Sequence, residues 1–157
     1  MQKFKSIMLI DDDFVTNLLN EKILSKQQAA DEIIKYTNAA LALHQIKTNA
    51  ENLLFNNLPE MIFLDINMPE MDGWSFLDEL IKITGIDFKK LKVILLSSSI
   101  DINDIQKSIS YTVVTNFISK PLTADKLKSL KTLENPTFRF ESKNNFEIAD
   151  QDATNFL

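Results

Sequence analysis

The sequence predicts one α/β domain built on a parallel sheet, and three observations carry that prediction. Short β-branched or apolar runs alternate five times with longer segments of helical period, the pattern of consecutive βα units. Three of the apolar runs are nearly continuous, which suits central strands covered by helices on both faces. With 157 residues, 45% of them hydrophobic, the chain has the size and the apolar content for a single core.

Taken in order, the expected strands are SIMLI (6–10), EIIKYT (32–37), MIFLDI (61–66), KVILLS (92–97) and NFISK (116–120). Between and after them helical period runs over 15–26, 39–50, 74–84, 102–110 and 124–133. Asp101 and Thr123 stand just before periodic segments, where their side chains can cap free backbone N–H groups. Asp72-Gly73 reads as the turn that opens the third helix, with Gly73 free to take a positive φ. Internal repeats and low-complexity tracts are absent.

Composition narrows the function classes. A net charge of −5, from 17 basic and 22 acidic side chains, gives no basic field for direct nucleic-acid binding. The chain has no cysteine, which excludes thiol catalysis, disulfides and thiolate zinc sites. The apolar run in MQKFKSIMLI is too short for a signal peptide, and no later run is long enough to span a bilayer. A soluble cytoplasmic protein with no membrane contact is the expectation.

In sheets of this kind ligands bind beyond the carboxyl ends of the strands, where strand order reverses. The residues at those ends are Asp11 and Asp12 after the first strand, Asp65 at the third, Ser97 at the fourth and Lys120 at the fifth. Three carboxylates, a hydroxyl and an ammonium should therefore share one rim. The interval from Asp65 to Ser97 is about one βαβ repeat of roughly 30 residues, as this placement requires.

Those residues and their surroundings carry a resemblance. The segment LDINMPEMDGWSFL, the acidic pair after the first strand, LLSS after the fourth and FISKPL at the fifth are similar to the receiver (CheY-like) domain of two-component response regulators. The likeness runs from residue 5 to about 133. It implies a flavodoxin-like, doubly wound, five-stranded sheet of order 2-1-3-4-5 with five helices. It also implies Asp65 as phosphoacceptor, Asp11 and Asp12 as the acidic pair placing Mg2+, and the Asn67 backbone carbonyl as the remaining protein ligand. Ser97 would sense the phosphoryl group and Lys120 would be its cationic partner. Pro69, Gly73 and Pro121 would be structural, the Lys120-Pro121 bond being cis.

The chemistry agrees with that set. A carboxylate attacking an anionic phosphoryl group needs charge neutralised, and Mg2+ takes carboxylate, phosphate and water oxygens, here from Asp12, Asp65 and Asp11 through water. Clustered without the ion, the carboxylates should repel and bind protons more readily. Lys120 and Ser97 then contact phosphoryl oxygens, so catalysis is positioning plus charge stabilisation. Readout would pass through Ser97 to Phe117, which stands where the family places a switch aromatic but has no hydroxyl to donate. A plain core role for Phe117 weighs equally against the switch.

Three departures from the family pattern stand out. YTVVTNF (111–117) lacks the glycine-alanine often found before the fifth strand, Ser98 replaces a common alanine, and the variable positions after Asp65 and Ser97 are Asn67 and Ser99. His44, the sole histidine, lies in a helix away from the strand ends, and Trp74 reads as helix packing. The receiver is expected over 1–134, followed by a tail, 135–157, too short for an output domain. Phe138, Phe140, Phe146 and Phe156 make that tail rich in aromatics, and TFRFE alternates like a short strand able to pair with a sheet edge of its own or a neighbouring subunit.

The functional expectation is a stand-alone receiver, not a conventional enzyme. It would be phosphorylated by a histidine kinase or histidine phosphotransfer protein and would signal by binding an unknown downstream protein. A homodimer would form through the tail or through the face of helix four, strand five and helix five. The alternative is a phosphorelay intermediate. A hydrolase of the haloacid dehalogenase type falls far behind, because its second acid position holds Asn67, which cannot protonate a leaving group.

Overall fold

A computed structural model describes residues 3–99 and 101–130, and the backbone of 139–140. Its strands are β1 (Phe4–Ile10), β2 (Ala30–Tyr36), β3 (Met61–Asp65), β4 (Lys92–Ser97), β5 (Val114–Ser119) and β6 (Arg139–Phe140). Its helices are α1 (Phe14–Lys26), α2 (Ala39–Glu51), α3 (Gly73–Leu80), α4 (Ile102–Ile109) and α5 (Ala124–Ser129), with a 3-10 turn at Phe55–Asn57. All strand pairs are parallel, in the order β2-β1-β3-β4-β5-β6. The expected 2-1-3-4-5 sheet is present, and β6 lengthens it by one strand on the β5 edge. There Arg139 lies opposite Asn116 and Phe140 opposite Phe117 of the same chain. The expectations for Phe138, Phe146 and Phe156, and for the Asn135-Pro136 helix stop, fall outside the described residues.

The alternation of side chains along each strand divides the core into two clusters. Met8, Ile10, Ile62, Leu64, Val93, Leu95 and Phe117 meet Ala42 and Ile46 of α2, Phe76 and Leu77 of α3 and Ile105 of α4. Ile7, Leu9, Phe63, Ile94, Leu96 and Ile118 meet Leu24 of α1 and Leu127 of α5. Burying side chains of this size stabilises the fold by about 1.5–3 kcal/mol each relative to leaving them in water.

Every α-helix starts on a side-chain cap. Asp13, Asn38, Asp72, Asp101 and Thr123 accept from the backbone N–H of Val15, Leu41, Ser75, Asn103 and Lys126 respectively. A cap of this type contributes about 1 kcal/mol. The helix ends are less orthodox, because the chain has only two glycines. Gln28 (φ 50°) and Leu53 (φ 57°) take the left-handed position after α1 and α2. The closing bonds from Ala29 N–H to Leu24 O (3.0 Å) and from Leu54 N–H to Asn49 O (2.8 Å) still form, completing Schellman motifs without glycine.

Strand limits shift by a residue or two from the sequence reading, and two features around α3 depart from it further. The third helix stops at Leu80 instead of 84, because the chain tightens there: Lys82 bonds back to Glu79 O and Ile83 to Leu80 O. Gly73 does not take a positive φ; among the glycines only Gly85 does. Gly73 is needed for space instead, since a Cβ there would lie 2.6 Å from Asp65 O and 2.9 Å from Ile66 Cα.

Candidate functional site

Asp11 and Asp65 meet because β1 and β3 are neighbours in register, with Ile10 opposite Leu64, so both chains reach the same rim one residue later. The carboxylates of Asp11, Asp12 and Asp65 each bring an oxygen within 4.8 Å of the others. Asp11 and Asp65 are buried, 1% and 4% exposed, whereas Asp12 is exposed. Lys120, just beyond β5, reaches across the rim between the two buried acids. Its Nζ lies 2.6 Å from Asp11 Oδ2 and 3.1 Å from Asp65 Oδ1. Both contacts pair the ammonium with a buried carboxylate, and the one to Asp11 is the shorter.

Two members of the cluster, Asp65 and Lys120, titrate away from their ordinary values. Burial pushes the Asp65 carboxyl above its ordinary value, outweighing the Lys120 hydrogen bond and charge that pull it down; repulsion from Asp11 is a lesser contributor. The dominant cause is therefore desolvation, where the sequence pointed to mutual repulsion. For Lys120, burial is the largest single influence and works to lower its pKa. The contacts with Asp11 and then Asp65 jointly outweigh it and hold the lysine above its ordinary value.

The loops fix these groups from behind. Asp11 Oδ1 accepts from Asp13 N–H (3.0 Å), while Asp13 turns away to cap α1, accepting from Val15 N–H (2.9 Å) and Thr16 Oγ1 (2.8 Å). Those two bonds hold the Asp13 carboxyl below its ordinary range. After β3, Gly73 N–H donates to Ile66 O (2.8 Å), folding the Met68-Pro69 loop back so that α3 starts directly on the Asp65 backbone. Glu70 takes φ 65° in that loop, and its carboxylate accepts from Asn38 Nδ2 (3.1 Å).

Ser97 ends β4, fully buried, with its Oγ accepting from Ser99 N–H (3.3 Å) and its carbonyl accepting from Lys120 N–H (2.7 Å). Asn67 is exposed, next after Ile66. The Lys120-Pro121 bond is cis, as the resemblance implied. Phe117 is not at the rim; it sits in the core cluster shared with α2, α3 and α4.

Sequence reasoning missed Asn17. It is buried in α1, and its Nδ2 donates both to Asp11 O (2.9 Å) and to Tyr36 O (3.0 Å), tying the β1–α1 turn to the end of β2. The available signal was its spacing, four residues after the Asp13 cap, on the face that also carries Asn20 and Leu24. His44 lies exposed on α2, and the sequence reading of it holds.

A doubly wound sheet holds its ligand at this end, and hard oxygen donors facing one lysine are chemistry for an anion accompanied by a divalent cation. Comparison with known proteins makes that class specific. A family model described as the response regulator receiver domain matches residues 7–131. The chain belongs to that family, the CheY-like receiver domains of two-component systems.

Among curated proteins, the sensor histidine kinase CheAY of Helicobacter pylori is 26% identical over 124 residues, 79% of this chain and 14% of that protein. The chain thus spans a small part of that relative's length. A solved two-component response regulator from Cytophaga hutchinsonii is similar with a TM-score of 0.74 and 34% identity, over 83% of this chain and 96% of its own. The receiver domain of the histidine kinase CKI1 from Arabidopsis thaliana, complexed with Mg2+ and BeF3−, shares the fold with a TM-score of 0.64. Its identity is 20%, over 82% of this chain and 90% of its own. Receiver domains are signalling modules that work with histidine kinases or phosphotransfer proteins. No helix among the described residues is long and apolar enough to cross a membrane.

Proposed function

We propose that Asp65 is the phosphoacceptor of this receiver and that its phosphorylation switches binding of a downstream protein. The observation that carries this reading is the convergence of Asp11, Asp12 and Asp65 on the Lys120 ammonium at the carboxyl ends of β1, β3 and β5. Asp11, Asp12 and Asp65 also fit Mg2+, being three hard oxygen donors within 4.8 Å of one another; the resemblance to receivers would add the Asn67 backbone carbonyl. When bound, the ion supplies positive charge against the carboxylates and the phosphoryl oxygens.

The chain's own groups do the rest. A carboxylate oxygen of Asp65 attacks phosphorus, forming the P–O bond as the P–N bond of a phosphohistidine donor breaks and the imidazole leaves. Asp65 must be ionised to attack, and the Lys120 hydrogen bond opposes the protonation that burial favours. Lys120 then holds a phosphoryl oxygen, and Ser97 at the end of β4 senses the new group. The acyl phosphate is labile, which suits a reversible signal.

The donor's approach is supported by α1, which begins at the rim and exposes Phe14, Val15, Leu18 and Leu19 to solvent. Readout is assigned to the face of α4, β5 and α5, where α4 exposes Ile102 and Ile109 seven residues apart on one side. Acetyl phosphate with Mg2+ should add one acid-labile, hydroxylamine-sensitive phosphoryl group to the wild type and none to Asp65→Asn. Equal labelling of the two proteins would overturn the assignment.

A further inference from the structure

Lys126, on the first turns of α5, spends its charge in an unusual way. Among the described residues it has no carboxylate partner; the neighbouring acid, Asp125, faces Lys128 instead. Its Nζ donates to Ser119 O (2.5 Å), to Ser119 Oγ (3.0 Å) and to Pro121 O (3.1 Å). An ammonium has three N–H donors, so all three go to the residues on either side of Lys120.

The peptide joining Ser119 to Lys120 is consequently held at both ends. Its carbonyl accepts from Lys126, and its N–H, that of Lys120, donates to Ser97 O at 2.7 Å. Hydrogen bonds from a charged donor are about twice as strong as neutral ones, so this clamp is stiff compared with an ordinary loop. What it anchors is the root of the side chain whose Nζ must serve Asp11 at 2.6 Å and Asp65 at 3.1 Å at once.

We infer that Lys126 is a positioning residue for Lys120: by binding the carbonyls and hydroxyl that flank it, Lys126 fixes where the Lys120 ammonium stands over the acid cluster. The inference rests on the phosphoacceptor reading of Asp65 for its catalytic consequence, but not for the geometry itself. Lys126 touches neither Asp12 nor Asp65, so it should act on phosphoryl transfer without acting on the metal. Misplacing a catalytic group by about 1 Å can cost as much as 100-fold in rate. A partial loosening at the root of Lys120 should cost about 10-fold.

The test uses the full chain with Lys126→Met, which keeps the apolar stem and removes the charge, and Lys126→Arg, which keeps a charged donor. Lys126→Met should label with acetyl phosphate about 10-fold more slowly than wild type, while its Mg2+ dissociation constant, titrated with Mg2+ alone, stays within about 2-fold. Lys126→Arg should recover most of the rate, staying within about 3-fold of wild type. Amide exchange at Lys120, whose N–H lies in the clamp, should quicken in Lys126→Met while core amides of β1 and β3 do not change.

Wild-type labelling and unchanged Lys120 exchange in Lys126→Met would overturn the inference. So would a loss of Mg2+ affinity equal to the loss of rate, which would mean a general collapse of the site. If the wild type itself failed to label, the phosphoacceptor reading would fall, and the exchange result alone would decide whether Lys126 positions Lys120.

Discussion

The run Asp11-Asp12-Asp13 places three like charges side by side, and burial separates them into different tasks. Asp11 is buried against Lys120, Asp12 is exposed on the rim within reach of both other acids, and Asp13 leaves the cluster to cap α1. Asn is about as good an N-cap as Asp, so Asp13→Asn should leave stability close to that of the wild type. Its Mg2+ affinity should stay within about 2-fold of wild type, since its carboxylate points at Val15 and Thr16. Asp12→Asn removes an exposed oxygen donor of the hard cluster and should weaken Mg2+ binding by about 10-fold or more. Calorimetric Mg2+ titration of the two variants separates these outcomes, and equal damage from both would mean that the acid pair is Asp12 and Asp13. Gly73 is a second case where a single residue is set by the site: its missing Cβ is what lets α3 rest on the Asp65 carbonyl.

At the scale of elements, α1 is built inside out. It buries Asn17, Asn20 and Leu24 and exposes Phe14, Val15, Leu18 and Leu19, so a reading by apolar periodicity would choose the wrong inward face. Asn17 is tolerated inside because its amide serves two carbonyls. The exposed stripe then calls for a partner. Phe14→Ser with Leu18→Ser should slow transfer from a phosphorylated histidine phosphotransfer protein by about 10-fold, while leaving labelling by acetyl phosphate within about 2-fold. Equal slowing of both reactions would place the stripe in the site and not in docking.

The segment before β5 shows why a departure from the family pattern can be structural. Tyr111 stacks on Trp74 at 5.9 Å between centroids, its hydroxyl donates to Asp78 Oδ1 (2.7 Å), and Lys107 Nζ lies 4.7 Å over the Trp74 ring, so α4 and its following loop are fastened to α3. Burial, then the hydrogen bond to Asp78, pushes the Tyr111 phenol up from 10.0 to about 12. A raised folded-state value means that this group's contribution to stability is complete below pH 10 and is lost as pH rises through about 12. Urea unfolding should therefore show the wild type losing its advantage over Tyr111→Phe across that window, after leading by about 1 kcal/mol at pH 7. Parallel pH profiles for the two proteins would remove the Tyr111–Asp78 bond from the account.

For the whole molecule, the sheet order and the rim were legible because both rest on strong local signals: near-continuous apolar runs, and chemistry-bearing residues at the end of each run. Asp11, Asp65 and Lys120 were found in that way, and the structure brings them together. The bonds of Lys126, Asn17 and Tyr111 were not legible: Tyr111 meets Asp78 from 33 residues away, whereas Lys126 and Asn17 bond backbone carbonyls of nearby turns, and only the folded turn sets where those carbonyls point. No spacing rule specifies that lysine 126 will find the backbone around lysine 120.

The same limit applies to the tail, whose TFRFE alternation hinted at a strand but not at its partner. In the structure Arg139–Phe140 lies parallel to Asn116–Phe117 and covers the β5 edge, which would otherwise present unpaired backbone groups. A chain ending at residue 134 should keep the five-stranded order of the sheet and its labelling at Asp65. Its Asn116 and Phe117 amides should exchange faster than in the full chain. The uncovered edge should also make it self-associate as concentration rises, since an open strand edge is a template for a second copy. Hydrogen exchange resolved at β5, together with sedimentation over a concentration series, reads both effects. Unchanged exchange at Asn116 and Phe117 would show that β6 contributes nothing to the edge in solution, and the tail would then have to be explained by a partner outside this chain.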